Sequence, residues 1–234
     1  EPVRAKMAGH PSASAPGELA DLFPDRLVPS ELGEIPEGWR VGRLSDQIEI
    51  LGGGTPKTAV PGYWDGDVPW FSVVDAPAEN EVFVTRTEKS ITSAGLDNSA
   101  AQVLPVNSTI VSARGTVGKL ALTGVPMAFN QSCYGIRPNG GRGEYYTYYR
   151  MQTSLAQLRS RTHGSVFSTI TRATFEAVPA VNPPDLVTRA FDSTVQPYLV
   201  RVRLYQLEAD VLSKLRDLLL PRLVSGEMRP ESIS

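Results

Sequence analysis

The chain has 234 residues, of which 41% are hydrophobic and 21% are charged, a composition typical of one folded domain with appendages. No apolar run approaches the ~20 residues of a membrane span. The lone Cys133 excludes an internal disulfide framework, and one cysteine with two histidines supplies too few N and S ligands for a structural zinc site. These features predict a cytoplasmic protein without a metal and without a membrane partner.

Charge is distributed unevenly along the chain, whose formal net charge is −2. Residues 1–38 carry 3 basic and 7 acidic side chains, whereas residues 101–183 carry 8 basic and 2 acidic ones, a net +6. A basic block inside an acidic chain is expected of a surface that binds a polyanion. The alternative is that the fold disperses these charges over several faces.

The first segment, residues 1–38, is rich in Pro, Ser, Ala and Gly and shows little periodicity. It predicts an extended linker with one short turn of helix near Glu18–Phe23, and ordered structure is expected from Trp39. Gly52-Gly53-Gly54-Thr55-Pro56-Lys57 then predicts a turn, which either connects two elements or binds phosphate through its bare amides. The run VPWFSVVD that follows predicts a buried strand.

Residues 102–136 predict a set of short strands, within 103–113, 117–123 and 127–136. Arg114 and Lys119 place two cations around a tight turn, which suits contacts to phosphate or to guanine. Asn130 and Gln131 carry amides of the kind that pair with adenine, although such side chains also cap loops. Residues 143–161 predict a helix. Its apolar stripe is made by Tyr148, Met151, Leu155 and Leu158.

The tyrosines of this helix could stack on bases, but a stripe at helical spacing is more typical of a core. After a polar loop, the run TRATFEAVPAV predicts a short helix and a closing strand. Two prolines, Pro183 and Pro184, then end the domain because they stop the strand and favour the start of a new helix.

The last long element, Asp185–Gly226, predicts a helix with a heptad seam. The seam consists of Phe191, Val195, Tyr198, Val202, Tyr205, Ala209, Leu212 and Leu219. From Asp185 to Leu223 the helix would span roughly 58 Å, at ~1.5 Å per residue. Pro197 is expected to kink it or to mark where its straight part begins. Such a stripe needs a partner helix, unless the helix packs on its own domain.

Motifs that suggest catalysis are incomplete. Asn182-Pro183-Pro184-Asp185 is similar to the catalytic loop of amino-methyltransferases, but Asp185 stands where an aromatic ring would stack on a flipped base. The run GTVGK lacks the full spacing of a phosphate-binding loop, and Leu120 follows its lysine. Cys133 and His163 have no orienting third residue, so a buried structural cysteine is favoured over a nucleophile. The sequence therefore favours recognition over catalysis.

Several segments, taken in order, resemble the specificity subunit of Type I restriction–modification enzymes. SELGEIPEGW, GGGTPKT and PWFSVVD resemble the entry and early part of a target recognition domain. ARGTVGKLAL followed by FNQSCYGIRP resembles its middle. PVRAKMAG and LFP resemble the connector after the first half of such subunits, and the closing NPPD with LRDLLLPRLVSGEM resembles the helical region. The resemblance covers nearly the whole chain and corresponds to the C-terminal half of a subunit.

This resemblance implies an α+β fold, in which a β-rich target recognition domain with mixed or antiparallel sheets precedes a long helix that pairs as an antiparallel coiled coil. It divides the chain into a linker (1–38), a DNA-binding domain (39–183), a spacer and dimerisation helix (184–226) and a tail (227–234). The chain itself would be non-catalytic and without a cofactor. S-adenosylmethionine and ATP would bind to partner subunits.

The implied partners are double-stranded DNA, the methyltransferase (modification) subunit, the restriction subunit, and a second specificity half or a second copy of this chain. Candidate DNA-binding side chains are chosen by residue type and loop position: Thr55, Lys57, Arg114, Lys119, Asn130, Gln131, Arg142, Arg161, His163 and Ser165. Two alternatives remain. One is a protein–protein scaffold whose globular domain does not bind DNA, and the other is a degenerate methyltransferase.

Overall fold

A computed structural model describes residues 2–9, 17–78, 81–161 and 169–228. The chain divides into two compact units, Glu1–Gln196 and Pro197–Ser234. All strands of the described residues belong to the first unit, and the described part of the second contains the later part of one long helix and the turn that follows it. No helix in the described part of the chain is long and apolar enough to cross a membrane.

The helices and strands follow one another in a mixed order. The helices are α1 (Pro2–Met7), α2 (Gly17–Asp21), α3 (Ser93–Asp97), α4 (Glu144–Arg161), α5 (Arg172–Ala177) and α6 (Asp185–Val224). The strands are β1 (Leu27–Ser30), β2 (Gly33–Pro36), β3 (Arg40–Arg43), β4 (Ile48–Gly52), β5 (Trp64–Phe71), β6 (Phe83–Val84), β7 (Lys89–Ile91), β8 (Thr109–Ser112), β9 (Leu120–Thr123), β10 (Ala128–Phe129), β11 (Cys133–Pro138) and β12 (Pro179–Asn182).

The central layer is a five-stranded sheet in the order β4-β11-β8-β9-β6. Its pairs are antiparallel except for β6 with β9, which is parallel. A second sheet has the order β10-β5-β7, and β1-β2 and β12-β3 form two small antiparallel ribbons. The expected α+β fold, a β-rich domain with mixed sheets followed by a long helix, is confirmed.

Apolar residues fill both faces of the five-stranded sheet because successive side chains of a strand point to opposite faces. On β8, Val111 belongs to the cluster that includes Met151 of α4 and Phe175 of α5. Its neighbour Ile110 belongs to the cluster that includes Phe129 of β10, in the second sheet. The sheet is therefore packed between the helices α4 and α5 on one side and β10-β5-β7 on the other.

The predicted stripe of α4 forms part of this core. Tyr148, Met151 and Leu155 are 5%, 0% and 5% exposed, whereas the side chain of Leu158 lies outside the described residues. These tyrosine and aliphatic side chains fill the core, and this supports the core interpretation of the stripe over base stacking.

The start of α6 is fixed to the start of α4 by one carboxylate. Asp192 accepts hydrogen bonds from the backbone N–H groups of Tyr145 at 3.1 Å and Tyr146 at 2.7 Å. These N–H groups belong to the first turn of α4, which has no intrahelical acceptors for them. Gly143 is required beside this contact, because a Cβ at that position would overlap the Asp192 carboxylate. Phe191 adds an edge-on ring contact to Tyr149 at 5.8 Å between centroids.

Several segments differ from the sequence-based expectation. Residues 2–7, within the expected linker, form the helix α1, and the predicted strand VPWFSVVD ends at Phe71, with Val74 exposed. Residues 27–36, expected within an extended linker, form the hairpin β1–β2 with Ile35 buried and Gly33 at a φ of +92° in the turn. The apolar run 103–113 forms a strand only from Thr109. Pro105 cannot donate to a ladder, and Asn107 adopts a φ of +68°, so the part before Thr109 contains one isolated bridge, from Leu104 to Met127, followed by a turn.

The long helix runs from Asp185 to Val224, which confirms the predicted element to within two residues. Pro197 and Pro221 lie inside it. Gly226 follows with a φ of +75°, and its N–H donates to the carbonyl of Leu223 at 3.2 Å, as in the glycine motif that ends many helices. In the second unit the seam is open to solvent, since Tyr198, Tyr205 and Leu212 are 72%, 59% and 58% exposed.

Candidate nucleic-acid interface

One end of the five-stranded sheet brings together three loops that the sequence had singled out. β4 and β8 end there, at Gly52 and Ser112, whereas β9 and β11 begin there, at Leu120 and Cys133. Antiparallel pairing of these strands places the four termini side by side. We call this the loop end, defined by residues 53–58, 113–119 and 130–132. It holds six of the ten candidate residues: Thr55, Lys57, Arg114, Lys119, Asn130 and Gln131.

The glycines of the first loop are required by close packing. The N–H of Gly54 donates to the carbonyl of Phe129 at 3.0 Å. A Cβ on Gly53 would overlap the backbone carbonyls of Phe129 and Asn130, and a Cβ on Gly54 would overlap the backbone of Ala100–Ala101. The glycine run thus lets two backbone segments touch, and this favours the connecting loop over the phosphate-binding alternative.

The same approach places Thr55 against the residues that precede β11. The Thr55 hydroxyl donates a hydrogen bond to the side-chain oxygen Oε1 of Gln131, which is exposed. Asn130 has a different role, because its Oδ1 accepts the backbone N–H of Ser132 at 3.0 Å and its own N–H donates to Phe71 at 2.9 Å. Gln131 is therefore the amide side chain available to a ligand, while Asn130 maintains the turn.

The second loop is a tight turn that carries a cation on each flank. The Ser112 hydroxyl donates to the carbonyl of Thr116 and accepts the N–H of Lys119 at 2.8 Å. Gly115 and Gly118 supply the positive φ angles of +72° and +80° that the turn needs. Arg114 and Lys119 are both exposed. The motif ARGTVGK is thus a strand–turn–strand connection and not the strand–loop–helix unit of a nucleotide-binding site.

Arg142 lies at the opposite end of the sheet, beyond β11. Its guanidinium donates to the carbonyl of Asn139 at 2.8 Å and lies 3.4 Å from the carboxylate of Asp185, and only 17% of the side chain is exposed. These contacts favour a structural role in fixing the start of α6, so Arg142 is left out of the interface proposed below.

The remaining candidates lie wholly or partly outside the described residues. His163 and Ser165 belong to the undescribed range 162–168, and Arg161 ends α4 with a side chain that is not described. The next described residue, Thr169, forms an antiparallel bridge with Arg114, and the N–H of Ile170 donates to Ala113 at 2.8 Å. Chain adjacent to 162–168 is therefore joined to the loop end.

Two exposed cations near the loop end were missed by the sequence reasoning. Lys89 begins β7 beside Trp70 at the matching end of the second sheet, and Arg172 begins α5 two residues after Ile170. Neither belongs to a Gly-rich turn or an amide pair, so no local pattern marks them. Strand pairing, which only the tertiary structure defines, brings them near the other loops.

The basic block of residues 101–183 is divided by the fold. Arg114 and Lys119 lie at the loop end, whereas Arg137 and Arg142 lie at the other end, within 3.8 Å of Glu144 and 3.4 Å of Asp185 respectively. The net +6 of the block therefore overstates the positive charge that one surface presents. Lys57, from outside the block, adds an exposed cation to the loop end.

Neither a reactive cysteine nor a metal-binding cluster occurs in the described ranges. Cys133 is 1% exposed, and burial together with the nearby charge of Asp75 raises the pKa of its thiol from 9.0 to about 12. A thiol in that state is protonated at neutral pH and is a poor nucleophile. No cluster of three or more His, Cys, Asp or Glu side chains that could hold a metal ion is found among the described residues.

Comparison with known proteins shows the family to which the chain belongs. Residues 36–185 match the family model of the Type I restriction modification DNA specificity domain. The specificity subunit of the Type I restriction enzyme HindI from Haemophilus influenzae is 28% identical over 219 residues, 90% of this chain and 47% of that protein. The specificity subunit of MjaIX from Methanocaldococcus jannaschii is 28% identical over 156 residues, 66% of this chain and 36% of that protein.

The fold agrees as well. The crystal structure of the HsdS subunit from Thermoanaerobacter tengcongensis matches with a TM-score of 0.53 at 18% identity, over 90% of this chain and 49% of that one. The chain thus has the fold and sequence features of a restriction–modification specificity subunit. It belongs to the family of Type I restriction modification DNA specificity domains, and it spans half or less of the length of the relatives it matches. The resemblance stated from the sequence is confirmed, as is the expectation of a specificity module and not an enzyme.

Proposed function

We propose that this chain is one half of a non-catalytic DNA-specificity subunit. We also propose that its loop end contacts one half of a bipartite target in double-stranded DNA. The observation that carries this proposal is the convergence of three loops, and of six polar or basic candidate residues, on one end of the sheet. The family match over residues 36–185 supports a recognition domain within 39–183, preceded by the connector 1–38.

The exposed cations and the Gln131 amide would make different kinds of contact to DNA. Lys57 and Lys119 suit phosphate contacts, which supply affinity that falls as salt rises. Arg114, on the flank of a rigid turn, suits bidentate contact to guanine, and Gln131 suits adenine. Arg161, His163 and Ser165 stay candidates because the chain that follows them joins the loop end at Arg114.

The exposed seam of α6 supports a second part of the proposal, which concerns assembly. Eleven large apolar side chains of the helix between Tyr198 and Val224 are more than 36% exposed, more than a helix surrounded by solvent usually shows. Four of them belong to the seam: Tyr198, Val202, Tyr205 and Leu212. We propose that residues 184–226 pair as an antiparallel coiled coil with the corresponding helix of a second specificity half, or of a second copy of this chain. The tail 227–234 follows it.

In the whole assembly this helix would set the distance between the two half-sites and would dock the methyltransferase subunits, with the restriction subunit joining the complete complex in the cytoplasm. S-adenosylmethionine and ATP would be bound by those partners. The chain spans half or less of its curated relatives, so this division of roles concerns the assembled protein.

The test is enrichment of target DNA by the chain co-expressed with its modification subunit. Random duplex pools are bound at two salt concentrations and the retained sequences are determined. Enrichment of one short motif is expected. Arg114→Ala should lower affinity for that motif and relax one base position, whereas Lys57→Ala should lower affinity for all sequences and reduce the salt slope by about 1.

Two other outcomes would contradict the proposal. Salt-sensitive binding without any sequence preference would leave only an electrostatic contact. No binding at all, with the modification subunit still retained, would favour the alternative of a scaffold whose globular domain does not bind DNA. That alternative is supported by one observation, the division of the basic block between the two ends of the sheet.

A further inference from the structure

We propose that Gln131 recognises an adenine in the major groove and that Thr55 is the residue that positions its amide. This inference rests on the proposed DNA-binding function and deepens it, because it assigns one base type to one side chain. It starts from the hydrogen bond between the Thr55 hydroxyl and Oε1 of Gln131, which joins two loops that are 76 residues apart in sequence.

The position of Thr55 is set by backbone packing. Gly53 and Gly54 lie so close to the backbone of Phe129–Asn130 and of Ala100–Ala101 that no side chain fits at either position. The N–H of Gly54 is bonded to Phe129, one residue before the turn that carries Gln131. Thr55 directly follows these two tightly packed glycines, and the next residue, Pro56, is buried. The hydroxyl is therefore presented from a rigid segment.

The acceptor side of the contact is fixed as well. Asn130 holds the turn through its bonds to Ser132 and Phe71, and Cys133 begins a central strand and is buried. Gln131 is the exposed residue between them. A long, exposed amide side chain normally samples several rotamers, and a bond to a fixed hydroxyl restricts it before any ligand arrives.

The hydrogen-bonding positions of the Gln131 amide that Thr55 leaves unoccupied match adenine. An amide oxygen has two lone pairs, and Thr55 occupies one of them. The second lone pair can accept from N6–H₂ of adenine while Nε2 donates to N7. Guanine presents two acceptors at the same edge, so the amide oxygen would face O6 without a proton between them.

The experiment profiles bound sequences for the chain in complex with its modification subunit. Gln131→Leu, which keeps the size and removes the amide, should abolish preference at one adenine position and leave the other positions intact. The expected loss of discrimination there is roughly 5- to 150-fold, the range for one bidentate contact. Thr55→Val should relax the same position by a smaller factor, and Thr55→Ser should restore it. Thermal unfolding of each variant controls for the fold.

The outcomes separate this inference from the function on which it rests. If the unsubstituted chain enriches no motif, the proposed function fails. If it enriches a motif that Gln131→Leu leaves unchanged at every position, or one without an adenine position, the assignment of Gln131 is overturned while the function stands. If Thr55→Val weakens all sequences equally, or if Thr55→Ser does not restore selectivity, Thr55 does not position the amide. Lys57→Ala is the matched control, with uniform loss at all positions.

Discussion

Replacing Asp192 tests whether one carboxylate fixes the start of α6 to the first turn of α4. In Asp192→Ala the N–H groups of Tyr145 and Tyr146 lose their acceptor. Hydrogen bonds to a charged group contribute ~1.5–3 kcal/mol each. Burial raises the pKa of Asp192, against the backbone hydrogen bonds that lower it, so part of this gain is offset by desolvation. Two such bonds would contribute ~3–6 kcal/mol, and because desolvation offsets part of this we expect a loss of about 2–3 kcal/mol in the free energy of unfolding.

Urea unfolding followed by far-UV circular dichroism measures this loss, and for a chain of this size it corresponds to a fall of roughly 5–10 °C in Tm. Asp192→Asn keeps one acceptor oxygen and should lose about 1 kcal/mol. Ser193→Ala, at an exposed neighbouring position on the same helix, is the matched control and should change stability by less than ~0.5 kcal/mol.

A substitution at Gly143 completes a double-mutant cycle with Asp192. Gly143→Ala alone should destabilise strongly because its methyl group overlaps the Asp192 carboxylate. In the double variant with Asp192→Ala that overlap is gone, so the two losses should sum to more than the measured loss of the pair. A loss for Asp192→Ala no larger than that of Ser193→Ala, or additive losses in the double variant, would refute the capping role.

Three further expectations follow from buried or exposed groups. Burial raises the pKa of Glu144 from 4.5 to about 7, with Asp192 raising it further and Arg137 lowering it, so the folded state retains a proton that the unfolded state releases. Stability should therefore fall as pH rises from about 4.5 to 7, by no more than ~3 kcal/mol, and Glu144→Gln should flatten this dependence in unfolding curves taken across that window. Cys133 should react with a thiol reagent at pH 8 at least ~100-fold more slowly in the folded than in the urea-unfolded chain, because its thiol is buried with a pKa of about 12, and equal rates would contradict its burial. Leu212→Glu, at a seam position that is 58% exposed, should weaken self-association or binding of a second specificity half in sedimentation velocity without lowering the monomer's Tm, whereas Lys214→Glu, off the seam, should leave association unchanged.

The interface shows why residue type alone selects sites incompletely. Arg114 and Arg142 are both arginines next to glycines in a basic block, yet Arg114 is exposed at the loop end and Arg142 is held by Asn139 and Asp185 at the other end. Asn130 and Gln131 are adjacent amides, yet Asn130 is half-buried and accepts the N–H of Ser132, whereas Gln131 is exposed and bonded to Thr55. A sequence cannot make these distinctions because they depend on which strands pair and which backbone carbonyls lie within reach.

The sequence by itself determined the elements whose signal is local. The helical stripe of α4, the heptad seam of α6, the glycine turns and the paired prolines before Asp185 each predict their element through short-range geometry. The order of segments identified the family. The tertiary structure decided what depends on distant pairing. Only the antiparallel register of β4, β11 and β8 brings Thr55, Arg114 and Gln131 to one end of the sheet. The contact between Thr55 and Gln131 can form because Gly53 and Gly54 have no Cβ atoms, which would overlap the neighbouring backbone.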